Sequence, residues 1–318
     1  MLISVILFAI GLVLLIKGGD WFVDAAQNIA HRFHMPELLI GATVVSIGTT
    51  LPEVMVSCQG ALAGSGSIAF GNAVGSIICN TALIAAITLV VRPAPVQRST
   101  FALPAVFFFV AAAYFCFNAY AFGAFSRVAG ITLLLLFVIY MVVTVSRMRA
   151  APAADAPAQA DAAPATTPAH DVAMLAVGAV VIALGARLLV DNAQILAQAV
   201  GVPESVIALT LVALGTSLPE LVTAITSLRK GCGALSLGNI IGANLFNLVL
   251  VSGAAITINP FTLESASATS FTVDIPLMLG VMAVLVIPAL WRQKLYRWQG
   301  ALLLVSYAAY CVFLYAAA

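Results

Sequence analysis

Two short stretches of the chain nearly repeat one another: Gly48-Thr49-Thr50-Leu51-Pro52-Glu53 and Gly215-Thr216-Ser217-Leu218-Pro219-Glu220. Each sets a carboxylate one helical turn beyond a pair of hydroxyls, inside a long apolar run. Pro52 and Pro219 lack an N–H and crowd the carbonyl four residues earlier, so each helix is expected to loosen at Gly48 or Gly215. Carbonyl, hydroxyl and carboxylate oxygens would then fall within a single turn. A second polar run follows each acid, with Gly71, Asn72, Gly75, Ser76 and Asn80 in one case and Gly238, Asn239, Gly242, Ala243 and Asn247 in the other. Asn80 and Asn247 would add amide oxygens, and the glycine spacing would let helix backbones approach closely. Two acids with neutral oxygens suit a hard cation: Ca²⁺ takes about 6–8 oxygens, and Na⁺ can use subsets of them. No His or Cys is counted in either donor set, which argues against Zn²⁺, Cu⁺ or Fe²⁺, and His31, His34 and His170 read as loop or helix-end residues. The competing explanation pairs the acids with Lys17 or Arg187, or keeps them protonated.

What must position these groups is a membrane scaffold. The 318 residues are 63% hydrophobic and 8% charged, with mean hydropathy +1.13 and net charge +1, whereas soluble domains carry about 25% charged residues. Such a chain is a polytopic membrane protein with no basic surface for nucleic acid. Ten apolar spans are expected, at residues 2–29, 36–62, 67–91, 100–121, 125–147, 171–199, 203–228, 234–257, 271–291 and 298–317. Lipid offers the backbone no partners, and the short alternating segments of a membrane barrel are absent, so the fold class is all-α. The first run lacks a basic start and a cleavage site and reads as a transmembrane helix. Five cysteines without a C-x-x-C pair make a disulfide framework improbable.

With the N-terminus outside, the cytoplasmic loops hold Arg32, Arg92, Arg98, Arg147, Arg149, Arg229, Lys230, Arg292, Lys294 and Arg297, against Arg127 alone outside. The positive-inside rule therefore puts both termini outside an inner (plasma) membrane. The Pro- and Ala-rich stretch 150–170 is expected to be a cytoplasmic linker between halves 1–149 and 171–318. No cofactor, nucleic acid or obligate protein partner is expected, only membrane lipid and cations. Enzyme chemistry lacks its motifs: Lys17-Gly18-Gly19-Asp20 misses the G-x-G-D of membrane aspartyl proteases, and no rhomboid G-x-S-G occurs.

The two halves align without a gap at an offset of 167 residues, and the shared positions include Asp24/Asp191, Pro36/Pro203, Pro52/Pro219, Glu53/Glu220, Asn72/Asn239 and Asn80/Asn247. The chain reads as a tandem repeat of five helices. An odd number inverts the second copy, and inverted pairs place a binding site near the midplane, where alternating access exposes it to either side. Each acid follows its helix-starting proline by 17 residues, about 26 Å along a helix, so the two approach the middle from opposite faces. A transporter is the expected class. A proton-coupled cation antiporter remains the alternative to Na⁺ coupling, and a channel is less favoured.

The paired segments beginning at Gly41 and Ile207 and ending at Asn80 and Asn247 resemble the two α-repeats of the Ca²⁺/cation antiporter superfamily, in its prokaryotic sodium/calcium exchanger branch. That resemblance covers both halves. It implies exchange of one Ca²⁺ for several Na⁺ at overlapping sites, with ligands Ser46, Thr49, Thr50, Glu53, Ser76 and Asn80 in the first half. In the second they would be Ala213, Thr216, Ser217, Glu220, Ala243 and Asn247. Ala243 stands where many relatives carry Ser, and Asn247 where some, including K⁺-dependent members, carry Asp. With two central carboxylates, Ca²⁺ would neutralise the site and three Na⁺ would leave it at +1, making that exchange electrogenic.

Overall fold

The computed structural model describes residues 1–93, 95–150, 166–200, 215–262 and 270–317. Its helices follow the expected spans. They are α1 (Leu2–Arg32), α2 (Glu37–Leu62), α3 (Gly66–Cys79, continuing to Val91), α4 (Arg98–Phe122), α5 (Arg127–Ala150), α6 (Pro168–Ala199), α7 (Leu218–Arg229), α8 (Gly233–Ile258), α9 (Ile275–Arg292) and α10 (Arg297–Ala317). Among the described residues, nine helices are long and apolar enough to cross a membrane. Residues 203–214 of the expected span 203–228 and the linker residues 151–165 lie outside the described part, and α7 is the described end of that span.

One boundary, the course of the helix at Pro52 and one pair of strands differ from expectation. α6 begins at Pro168, so 168–170 are helical rather than linker: the Thr167 hydroxyl accepts from the His170 N–H at 3.3 Å as an N-cap, with Pro168 preset at the first position. The first-half helix runs unbroken through Pro52. Its irregularity lies earlier, in a π-turn at Gly41–Val45, where the Ser46 hydroxyl takes the Gly41 carbonyl at 2.8 Å and the Tyr140 hydroxyl takes that of Ala42 at 2.9 Å. In the second half the expected loosening is present, since Thr216 and Ser217 form a turn and α7 starts afresh with Pro219 in its first turn. Two short strands not anticipated from the sequence, β1 (Ala124–Phe125) and β2 (Phe261–Thr262), pair antiparallel and tie two loops together at one end of the bundle.

α1 and α6 pack as an antiparallel pair. A Cβ on Gly11 would come within 2.9 Å of the Gly185 carbonyl, one on Gly18 would meet Ile182, and one on Gly178 would meet Phe22. Gly11/Gly178 and Gly18/Gly185 are themselves repeat-related, so equivalent helices cross through equivalent residues. This pair lies over α2 and α7, with Phe22 against Gly48 and Val222 of α7 against Gly19. The remaining helices enclose a core in which Tyr140 of α5 stands edge-on to Phe107 and Phe246, with ring centroids 5.3 and 6.0 Å away.

Candidate functional site

Ser46, Thr49, Thr50 and Glu53 recur at three- and four-residue steps, so they share one face of α2. That face turns inward: the Glu53 and Glu220 side chains are both 0% exposed, and the helices that carry them pack against each other. Neither is locked to a basic neighbour. Arg187 pairs instead with Asp191 on the exposed side of α6, and Lys17 forms no ion pair among the described residues.

Around the acids the two halves exchange mirrored hydrogen bonds. Thr49 Oγ1 donates to Asn239 Oδ1 at 3.1 Å, and its repeat equivalent Thr216 donates to Asn72 Oδ1 at 3.3 Å. Each asparagine amide then turns back into its own half, with Asn72 Nδ2 donating to the Glu53 carbonyl at 3.1 Å and Ser57 Oγ at 2.9 Å, and Asn239 Nδ2 to Thr223 Oγ1 at 2.9 Å. Asn72 and Asn239 were visible in the sequence only as shared polar residues. Their identity across the repeat was the signal, but their role as cross-half fasteners depends on which helices face one another.

Backbones meet closely on the α2–α8 side. A side chain on Gly238 would run into the Leu38 carbonyl and one on Gly242 into Ser46 Oγ, so only glycine lets α8 lie this near. Gly71 and Gly75 mirror Gly238 and Gly242, and residues 205 and 209, the repeat equivalents of Leu38 and Ala42, lie outside the described part, as does Ala213.

The remaining expected residues among the described ones are buried on neighbouring elements. Asn80 and Asn247 each open a π-turn, Asn80–Ala85 and Asn247–Val251, at repeat-equivalent positions. π-turns swing a side chain out of the regular helical ladder and occur frequently at functional sites. Ser76 and Ala243 are buried on α3 and α8. The Ser46 hydroxyl is already engaged, donating to Gly41 and also reaching the Asn239 carbonyl at 3.0 Å.

Of the ten described residues whose buried side-chain polar atoms lack a hydrogen-bond partner, Arg32, Thr144, Ser236 and Asn244 have no counterpart in the other half, and six do: Thr50 Oγ1, both oxygens of Glu53, the Asn80 amide, Ser217 Oγ, both oxygens of Glu220 and the Asn247 amide. They form three repeat pairs and carry eight oxygens between them. Buried polar atoms are normally satisfied, and buried carboxylates especially so. This donor set of two acids, two hydroxyls and two amide oxygens has the composition a hard cation requires.

Comparison with known proteins agrees. A family model described as sodium/calcium exchanger protein matches residues 3–146 and 170–316. The chain belongs to the sodium/calcium exchanger family. Its relatives include the inner membrane protein YrbG of Escherichia coli, 36% identical and covering 92% of this chain and 90% of that protein. The sodium/calcium exchanger MaX1 of Methanosarcina acetivorans is 29% identical, over 98% and 99%. Among solved structures, that of the sodium-calcium exchanger NCX_Mj soaked with zero Na⁺ and Ca²⁺ superposes with a TM-score of 0.80 at 30% identity, over 98% and 99% of the two chains. Membership in this exchanger family makes the chain a multi-pass membrane transporter that exchanges cations, not an enzyme.

Proposed function

We propose that the protein exchanges Ca²⁺ for Na⁺ across the membrane, with the ions held between Glu53 and Glu220. The reading rests on one observation above others: the three mirrored pairs of buried, unpartnered donors. Thr49, Thr216, Ser46, Ser76 and Ala243 complete the wall, the last contributing backbone oxygen only. MaX1 and NCX_Mj, both described as sodium/calcium exchangers, support the pair of ions.

We read the chain as two five-helix halves of inverted topology, the first ending with α5 at Ala150 and the second beginning with α6 at Pro168. The family model breaks at 147–169, in step with this division. The antiparallel crossing of α1 and α6 through equivalent glycines is what inverted copies related by a pseudo-twofold axis produce. Because that pair covers Gly48 and Gly215, one turn before each acid, its sliding against the other helices would bare the site to one side and then the other. An empty site holds two unneutralised carboxylates in a dry interior, so movement without cargo is costly and exchange is favoured over leak. The termini face outward from the inner membrane and the linker faces the cytoplasm, in keeping with the distribution of Lys and Arg.

Radiolabelled Ca²⁺ uptake into proteoliposomes tests the function. An outward Na⁺ gradient at constant pH is expected to drive uptake in the native protein but not in Glu53→Gln or Glu220→Gln. Uptake driven by a pH gradient alone, with Na⁺ without effect, would overturn Na⁺ coupling.

A further inference from the structure

Four helix ends meet at one end of the bundle, where α3 stops at Val91, α4 starts at Arg98, α9 stops at Arg292 and α10 starts at Arg297. The two intervening loops are fastened to each other: the Val96 N–H donates to the Gln293 carbonyl at 2.9 Å, and Pro95 pairs with Lys294. α10 lies directly against α3 here, since a Cβ on Gly300 would come within 2.7 Å of the Ala86 carbonyl. The result is a single surface bearing Arg92, Arg98, Arg292, Lys294 and Arg297, all exposed. Residues 92–99 and 291–299 contain no acid.

Four of the other cations find partners inside the chain, whereas Lys17, Arg147 and Arg229 form no ion pair among the described residues. Arg32 pairs with Asp171, Lys230 with Asp20 and Asp24, and Arg187 with Asp191, while Arg127 donates to the Thr257 and Ile258 carbonyls. None of the five patch cations forms an ion pair among the described residues. Aromatic side chains flank them. Trp291 and Trp298, 79% and 54% exposed, bracket the α9–α10 loop, and exposed Trp collects at the headgroup level. Arg292 lies over the Trp291 ring at 5.3 Å and Lys294 over Tyr296 at 5.6 Å. Unpaired cations at that level, beside exposed indoles, complement an anion that carries acyl chains.

We propose that this paired-loop patch is a docking surface for anionic phospholipid, whose phosphate is taken by Arg92, Arg98, Arg292, Lys294 and Arg297 while its chains lie beside Trp291 and Trp298. It is separate from the buried donor set and stands whatever ion that set carries.

The test reads tryptophan quenching in vesicles. The full chain carrying Trp21→Phe retains Trp291 and Trp298 as its only indoles; it is reconstituted in phosphatidylcholine with a minor fraction of brominated phosphatidylglycerol or brominated phosphatidylcholine. Excess quenching by the brominated anionic lipid is expected. Neutralising all five cations to Gln should abolish the excess, whereas Arg147→Gln with Arg149→Gln and Arg229→Gln should leave it. If the fivefold variant fails to reconstitute, Arg292→Gln with Lys294→Gln alone should weaken the preference at least about tenfold. Equal quenching by both lipids, an excess that survives neutralisation, or its displacement by inorganic phosphate would overturn the proposal.

Discussion

At the residue scale, the account rests on side chains that the fold buries and then leaves without internal partners. Thr50 and Ser217 offer hydroxyl oxygens at equivalent positions, and neither has a protein partner, so each can turn its lone pairs to an ion. Thr50→Val and Ser217→Ala are expected to raise the Ca²⁺ KM about tenfold, a loss of about 1.4 kcal/mol of binding, while the melting temperature in detergent changes little. Thr49 and Thr216 have a second job, because they also hold Asn239 and Asn72. Asn72→Leu or Asn239→Leu should therefore lower the melting temperature as well as transport, by about 1–3 kcal/mol of stability for the stranded partners. Glu53 and Glu220 were legible in the sequence because an acid in an apolar run is costly wherever it points. The fastening asparagines were not, since an amide in a glycine-rich stretch carries no such signal until its neighbour is known.

At the scale of elements, helix ends and spans were readable to within a few residues because hydrocarbon thickness sets span length and Pro, Gly and charge mark the boundaries. The π-turns were not readable. Nothing in Asn80-Thr81-Ala82 or Gly41-Ala42-Thr43 distinguishes a π-turn from an α-turn, since the choice depends on tertiary partners such as the Tyr140 hydroxyl on the Ala42 carbonyl. Pro52 misled for a related reason: its ring loosens a helix only if the surroundings let the chain bend, and here α2 stays helical through it. Tyr140→Phe is expected to cost about 1–3 kcal/mol by orphaning a buried carbonyl, seen as a lower melting temperature with weakened Ca²⁺ affinity. Gly238→Ala should be worse, because its methyl meets the rigid backbone of Leu38 rather than a side chain that can move aside. Loss of the folded, monodisperse protein is the expected readout.

For the whole molecule, the 167-residue repeat made the symmetry visible before any coordinates, and the mirrored hydrogen bonds and glycine contacts give that symmetry a physical form. The same alignment also shows where the halves are unequal. Ser46 and Ser76 face Ala213 and Ala243 across the repeat, so the hydroxyls lost are all on one side. A site of two carboxylates that releases three Na⁺ for each Ca²⁺ moves one net positive charge in the direction of Na⁺. In Na⁺-loaded vesicles taking up Ca²⁺ that charge moves outward, so an inside-positive potential should accelerate uptake and an inside-negative one should slow it. Uptake indifferent to an imposed K⁺ diffusion potential would mean electroneutral exchange.

The most direct measurement is anomalous scattering from crystals of this protein soaked with Sr²⁺ in place of Ca²⁺. A peak is expected between the Glu53 and Glu220 carboxylates, touched by oxygens from both halves and fading as Na⁺ is raised. A peak elsewhere, one held by a single acid, or none at concentrations that support transport would contradict a shared cation site.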